Sequence, residues 1–139
     1  MQPDPIRAEE TAAWLEKGRK DLWRAENVLT LDPPDTEDCL FHCQQAVEKS
    51  LKAFLVWRDH PFRKTHDLVE LTRQCVDLEP TLGDVLRGVG GLTRFAWEYR
   101  YPGETESPAL ELAHGWLVRV KGVLEAVAGL LPPPTSAAR

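Results

Sequence analysis

Apolar residues recur at spacings of three and four along most of the chain, which is the pattern of helices that bury one face. No stretch shows the alternation of β-branched and polar residues that a half-buried strand requires. The predicted helices cover about residues 8–29, 35–58, 67–77, 81–101 and 107–131. Four of them are long and one is short, so the sequence predicts an all-α fold, an up-down antiparallel four-helix bundle with one extra short helix.

The bundle is predicted to be a single domain of residues 1–139, with an ordered core of about 8–131 and a disordered tail at 132–139. The residues expected on the packed side of each helix are Trp14, Gly18, Leu22, Ala25 and Leu29 of the first helix, Leu40, Val47, Leu51, Phe54 and Leu55 of the second, Leu68, Leu71 and Val76 of the third, Val85, Val89, Leu92, Ala96 and Tyr99 of the fourth, and Ala113, Trp116, Leu117, Val120, Leu124, Val127 and Leu131 of the last. The last seam is the longest, so this helix is expected to pack along most of its length.

Capping residues set the expected helix starts. Asp35 is predicted to cap the second helix, and Thr81 with Asp84 has the spacing of a capping box for the fourth. Ser107 is predicted to cap the last helix, with a proline following it. Three glycines within residues 88–91 weaken the fourth helix and indicate either a kink or close approach to a neighbour.

A second, polar stripe runs beside the apolar seam of the second helix and consists of Gln45, Lys49 and Lys52. Downstream, residues 65–67 open the third helix, whose first turn is expected to offer unbonded backbone N–H groups. Residues 49–73 carry a net charge of +3 on a chain whose total is −5. The stripe and the corner together predict a place where an anionic group binds.

The run from Gln44 to Lys49, QQAVEK, continues as LKA at residues 51–53, and the corner reads THDL at residues 65–68. A third motif, Arg-Tyr-Pro, occupies residues 100–102. With these motifs and their spacing, about residues 10–130 resemble the HEPN family, small helical proteins often encoded beside minimal nucleotidyltransferases. The resemblance implies the same kind of bundle, often as a homodimer. It also implies a role as the substrate-binding or regulatory partner of a separately encoded minimal nucleotidyltransferase, in a pair that resembles a toxin-antitoxin system.

The charged and titratable members of these motifs are expected to line one polar groove that binds a nucleotide or another anionic ligand. The predicted ligand-binding residues are Lys49, Lys52, His66, Arg100, Gln45, Asp67 and Tyr101. A purely structural interpretation stands beside this one. In it, Glu48 pairs with Lys52 at i, i+4, His66 caps or packs, and Arg100 makes an internal salt bridge.

Catalysis has less support in the sequence. The HEPN family includes metal-independent ribonucleases, which use an arginine followed four to six residues later by a histidine. Here Arg63 precedes His66 by three residues, Arg58 precedes it by eight, and Arg100 precedes His114 by fourteen. No Cys-His nucleophile, glycine-rich phosphate loop or zinc motif is evident. We therefore expect a non-enzymatic protein with no catalytic residues and no cofactor, and the alternative is a metal-independent ribonuclease toxin.

Composition and net charge narrow the remaining classes of function and the expected location. The net charge of −5 argues against general nucleic-acid binding. Three cysteines, an odd number without a framework spacing, indicate reduced thiols, and no metal site is expected at Cys39, His42 and Cys43. Without a membrane-length apolar run or an N-terminal leader, the protein is expected in the cytoplasm. Five tryptophans supply more apolar surface than one bundle needs, which also favours a homodimer.

Overall fold

The computed structural model of the protein describes residues 4–96, 98, 102 and 106–133. Within these residues the chain is helical and contains no strand, so the predicted all-α bundle is confirmed. The α-helices are α1 (Pro5–Val28), α2 (Thr36–Trp57), α3 (Leu68–Leu78) and α4 (Leu110–Ala128), and two 3₁₀ segments, Pro80–Leu82 and Val89–Ala96, lie between α3 and α4. No described helix has both the length and the apolar character needed to span a bilayer.

Helices α1 and α2 form an antiparallel hairpin. At its closed end the N–H of Asp35 donates to the carbonyl of Val28 at 2.9 Å, and at its open end Arg7 pairs with Asp59 at 3.4 Å. Midway, Gly18 lies so close to α2 that an added Cβ would stand 3.2 Å from the carbonyl oxygen of Ala46. Glycine therefore permits a helix crossing that a larger residue would push apart.

Helix α2 is the centre of the core. All five residues of its predicted seam are buried, and the helix begins at the predicted cap, where the Asp35 side chain accepts a hydrogen bond from the N–H of Asp38 at 3.0 Å. The buried face of the last helix agrees less completely with the predicted seam, because Trp116 and Leu117 are only partly buried and Val123 is buried in addition. In α3, Cys75 and not Val76 is the buried residue of the last turn.

The predicted fourth α-helix is replaced by the two 3₁₀ segments, Pro80–Leu82 and Val89–Ala96, with a turn at residues 83–88 between them. Val89, Leu92 and Phe95 of the second segment are buried at a spacing of three, which matches the three residues per turn of a 3₁₀ helix, and Leu86 of the turn is buried three residues before them. Gly88 has a φ of +75°, a left-handed conformation that interrupts any α-helix through this point. The glycines indicated a kink or a close approach here. Val89 and Leu92 of the predicted seam are buried, whereas Val85 is only partly buried and Leu86 and Phe95 are buried in addition. Tyr99 of that seam lies outside the described residues.

Two predicted caps are wrong. The hydroxyl of Thr81 donates to the Glu79 carboxylate at 2.8 Å, so it does not cap a helix. Ser107 donates to the Glu37 carboxylate at 3.0 Å, and α4 begins three residues later, after Ala109. In both cases a nearby carboxylate binds the hydroxyl that the sequence assigned to a helix terminus.

Candidate functional site

Four side chains meet around a buried carboxylate on α2. One oxygen of Glu48 lies 2.9 Å from Nδ1 of His66 and accepts from the Gln44 amide at 3.2 Å, and the other accepts from Lys52 at 3.0 Å. The Gln44 amide also donates to the His66 carbonyl at 3.1 Å and accepts from Gln45 at 2.6 Å. We call Gln44, Gln45, Glu48, Lys52 and His66 the Glu48 cluster. Because a carboxylate only accepts hydrogen bonds, Nδ1 of His66 carries the proton.

Lys52 is the internal counter-ion of this cluster, with only 6% of its surface exposed. Its ammonium group lies 5.4 Å from the ring centroid of Trp14 on α1 and 5.8 Å from that of Phe62, and the two rings pack edge to face. The ion pair with Glu48 and the two aromatic faces compensate for the lost hydration of the ammonium group. The predicted i, i+4 pair of Glu48 and Lys52 is therefore present, and it is buried.

His66 lies in the loop that leads into α3, and 54% of its side chain is exposed. The next residues use their amide groups within the protein. The N–H of Asp67 donates to Thr65, the N–H of Leu68 to Thr93, and the N–H of Val69 to the Asp67 side chain, at 3.0, 3.0 and 2.9 Å. The expected unbonded N–H groups are therefore already bonded at residues 67–69, and Asp67 is the cap of α3.

Lys49 belongs to a second network, between α1 and α2. It pairs with Asp21 of α1, whose other carboxylate oxygen lies 2.8 Å from Nδ1 of His42. We call Asp21, His42 and Lys49 the Asp21 cluster. Burial alone would raise the pKa of Asp21, but hydrogen bonds and positive charge from His42 and Lys49 outweigh it and hold the pKa below its ordinary value. The remaining nitrogen of His42 lies 3.5 Å from Asp38, so both ring nitrogens face carboxylates.

The predicted site residues are thus distributed over separate places. Gln45, Lys52 and His66 join in the Glu48 cluster, Lys49 belongs to the Asp21 cluster, Asp67 caps α3, and Arg100 and Tyr101 lie outside the described residues. A single groove lined by all seven stays a prediction. The organising residues that the sequence analysis did not assign to the site are Gln44, Glu48, Asp21 and His42. The i, i+4 spacing of Gln44, Glu48 and Lys52 was an available signal for the first two.

Arg58 and Arg63, which precede His66 in the sequence, are paired with other residues. Arg63 donates to both carboxylate oxygens of Glu70 at 2.8 and 3.1 Å, which raises the pKa of Arg63 and lowers that of Glu70. Arg58 lies 3.7 Å from Glu79 and 5.5 Å from the ring centroid of Phe54. Neither guanidinium is therefore held at the imidazole of His66.

The three cysteines, Cys39, Cys43 and Cys75, are buried and form no disulfide. Burial raises the pKa of Cys75 to about 12, whereas a hydrogen bond with Cys43 lowers the pKa of Cys39. Across the part of the chain that the structure describes, no three residues of the metal-binding types come close enough to hold an ion. The chemistry of the described surface therefore centres on the oriented imidazole of His66.

The comparisons with known proteins bear on the family. A family model described as HEPN domain matches residues 11–130, which is most of the chain. Neither the comparison with curated proteins nor the comparison with solved structures gave a match. The match spans α1 to α4 and includes both polar clusters.

Proposed function

The chain belongs to the HEPN domain family, and from this we propose that it is a non-enzymatic binding protein, the substrate-binding or regulatory partner of a separately encoded minimal nucleotidyltransferase. We further propose that the two work in the cytoplasm as a pair of the toxin-antitoxin type. The proposed binding surface surrounds His66. Family membership supports the helical scaffold, and the geometry around His66 supports the placement of the surface.

The observation that carries the proposal is the fixed orientation of a half-exposed imidazole. Glu48 holds Nδ1 of His66, and Gln44 holds its backbone carbonyl, so the ring is presented at the surface with little freedom to rotate. Such preorganisation favours binding because less side-chain entropy is lost when a ligand or partner docks. Arg63, the nearest arginine in the sequence, is held by Glu70. The described geometry therefore favours a recognition group over an Arg-His catalytic pair.

The ligand of this surface is proposed to be a nucleotide or another anionic group. The two lysines expected to meet it are already paired with Asp21 and Glu48, so they supply less charge than their number suggests. Lys64, beside His66 in sequence, is exposed and adds positive charge to this surface. Binding is therefore expected to depend on His66 and to weaken as salt rises.

If the reading frame beside this chain encodes a minimal nucleotidyltransferase, co-expression of the two tests the proposal. The wild-type chain should co-purify with the enzyme or change its activity, and His66→Ala should reduce that effect at least tenfold. His114→Ala is the matched control, because it removes another exposed histidine from α4, far along the chain from the Glu48 cluster. Absence of any complex and of any effect on the enzyme would remove the partner role.

A second candidate, the metal-independent ribonuclease, is favoured by the bond between Glu48 and His66. A carboxylate that holds Nδ1–H fixes the tautomer and the orientation of the ring, as it does for the histidine of a Ser-His-Asp triad. On this hypothesis the purified chain cleaves RNA in the presence of a chelator, and both His66→Ala and Glu48→Gln lose the activity. Unchanged RNA after prolonged incubation would leave the binding role alone.

A further inference from the structure

A cavity of about 320 Å³ lies between α1 and α4, at the lower end of the size range of small-molecule sites. Helix α1 packs mainly against α2 and contacts α4 less extensively, and the cavity occupies the space between α1 and α4. The residues that line it recur at spacings of three and four, so each helix contributes one side. They are Arg19 and Leu22 of α1 with Lys121, Leu124, Glu125 and Ala128 of α4, and we call the space they enclose the α1–α4 cavity.

The α1–α4 cavity has an apolar floor and a charged rim. Its apolar residues are buried or partly buried, whereas Arg19, Lys121 and Glu125 are exposed. These three side chains form no salt bridge or hydrogen bond with any residue that the structure describes. Most of the described arginines, by contrast, pair with a carboxylate. Two positive charges and one negative charge therefore stand beside an apolar surface without a partner from the chain.

We propose that the α1–α4 cavity binds a free amino acid with an aliphatic side chain, such as leucine. Its carboxylate pairs with Arg19 and Lys121, its ammonium group pairs with Glu125, and its side chain covers the apolar floor. A simple anion would bring a like charge to Glu125, and a simple cation would bring one to the two basic residues, so the charge pattern favours a zwitterion. None of the lining residues belongs to the Glu48 cluster or the Asp21 cluster, so the proposal is independent of the function assigned to His66.

Calorimetric titration of the full chain with leucine, and with compounds that each lack one of its groups, tests the proposal. Isocaproate lacks the ammonium group, isoamylamine lacks the carboxylate, and glycine lacks the aliphatic side chain. Leucine should bind at millimolar concentration or below. Each of the other compounds should bind roughly tenfold more weakly or not at all, because each leaves one part of the cavity without its partner.

Variants of the rim and the floor assign the contacts. Arg19→Gln and Glu125→Gln should each weaken leucine binding roughly tenfold, and Glu125→Gln should also remove the preference for leucine over isocaproate. Ala128→Leu should block binding, because the larger side chain fills part of the cavity.

Lys17→Gln is the matched control, because it removes an exposed charge of α1 at about 160° around the helix from Arg19. It should bind leucine as the wild type does, and circular dichroism should show that every variant retains the helical content of the wild type. Absence of leucine binding at millimolar concentration would overturn the proposal. So would isocaproate binding as tightly as leucine, which would indicate a site for organic anions only, or an unchanged affinity for leucine in both rim variants.

Discussion

The molecule contains the same chemical trio twice, a buried carboxylate with one lysine and one histidine. In the Asp21 cluster the histidine is secluded, with 16% of His42 exposed and its second nitrogen near Asp38. In the Glu48 cluster the histidine comes from a loop, and 54% of His66 is exposed. The two clusters therefore differ chiefly in how much of the histidine reaches solvent. A trio enclosed between two helices joins them, whereas a trio that ends at the surface can also present its histidine to another molecule.

The exposure of the two lysines differs in the opposite direction to that of the two histidines. Lys52 of the Glu48 cluster is nearly inaccessible beneath Trp14 and Phe62, while Lys49 of the Asp21 cluster retains partial access to water. Removing the carboxylate should therefore cost more folding free energy at Glu48 than at Asp21, because the ammonium group of Lys52 is less accessible to water than that of Lys49.

The largest effect is expected for Glu48→Gln. This change keeps the shape of the side chain but leaves the Lys52 ammonium buried without its counter-ion, which should lower the free energy of unfolding by about 3 kcal/mol. Urea denaturation at neutral pH measures it. Adding Lys52→Met should restore more than half of the loss, because the unpaired charge is then gone. A loss that persists in the double variant would show that Glu48 stabilises through His66 and Gln44 instead.

Asp21→Asn is expected to cost about 2 kcal/mol at neutral pH, since hydrogen bonds to a charged acceptor are lost. The folded state holds the pKa of Asp21 below its ordinary value, so its contribution is present above that value and disappears as pH falls through the folded pKa. The wild type and the variant should therefore converge in stability as the pH drops below about 4. Denaturation curves across this range provide the check, and a constant difference would mean that the charge of Asp21 is not the cause.

Gly18→Ala should lower the free energy of unfolding by about 1 kcal/mol, because the cost of separating α1 from α2 exceeds the gain in helix propensity. The added methyl would also stand 3.6 Å from Cβ of Lys49, so the change should disturb the Asp21 cluster. Combined with Asp21→Asn, its effect should be less than additive in a double-mutant cycle. Strictly additive effects of the two changes would show that the helix crossing and the Asp21 cluster are energetically independent.

The smallest effect on stability is expected for His66→Ala, within about 0.5 kcal/mol, since a half-exposed hydrogen bond contributes little. His42→Ala should cost about 1 kcal/mol or more, because only 16% of the His42 side chain is exposed and water cannot readily take its place beside Asp21. Thermal unfolding of the two variants side by side makes the comparison direct. Equal losses would contradict the assignment of one histidine to structure and the other to recognition.

Much of the fold could be predicted from periodicity. The seam of α2 and the Asp35 cap follow rules that involve only neighbouring residues, and both are present. The 3₁₀ segment could not be anticipated in the same way, because a spacing of three is also compatible with one face of an α-helix. Ser107 failed as a cap because its partner, Glu37, is 70 residues away in sequence. Capping rules that consider only neighbouring residues cannot account for competition from a group that is distant in sequence.

The sequence predicted which types of residue carry the polar chemistry of the site, but it did not predict which of them pair with one another. The motif residues of α2 do carry the polar chemistry, but Lys49 and Lys52 pair with different carboxylates, Asp21 of α1 and Glu48 of α2 itself, a distinction that depends on which neighbours α2 meets. Asp21 lies at a core-facing position of α1, where a carboxylate is expected only if it finds partners. Those partners come from α2, so only the tertiary structure identifies them.

The hydrogen bond from the N–H of Leu68 to Thr93 links the start of α3 to the 3₁₀ segment. Short 3₁₀ helices have poorer hydrogen-bond geometry than α-helices and open more readily. Two bonds that hold His66 come from α2, while the corner just after it is bonded to this less stable segment. We therefore expect movements of the 3₁₀ segment to alter the corner beside His66, so that the rim of the proposed surface can adapt while its central imidazole stays in place.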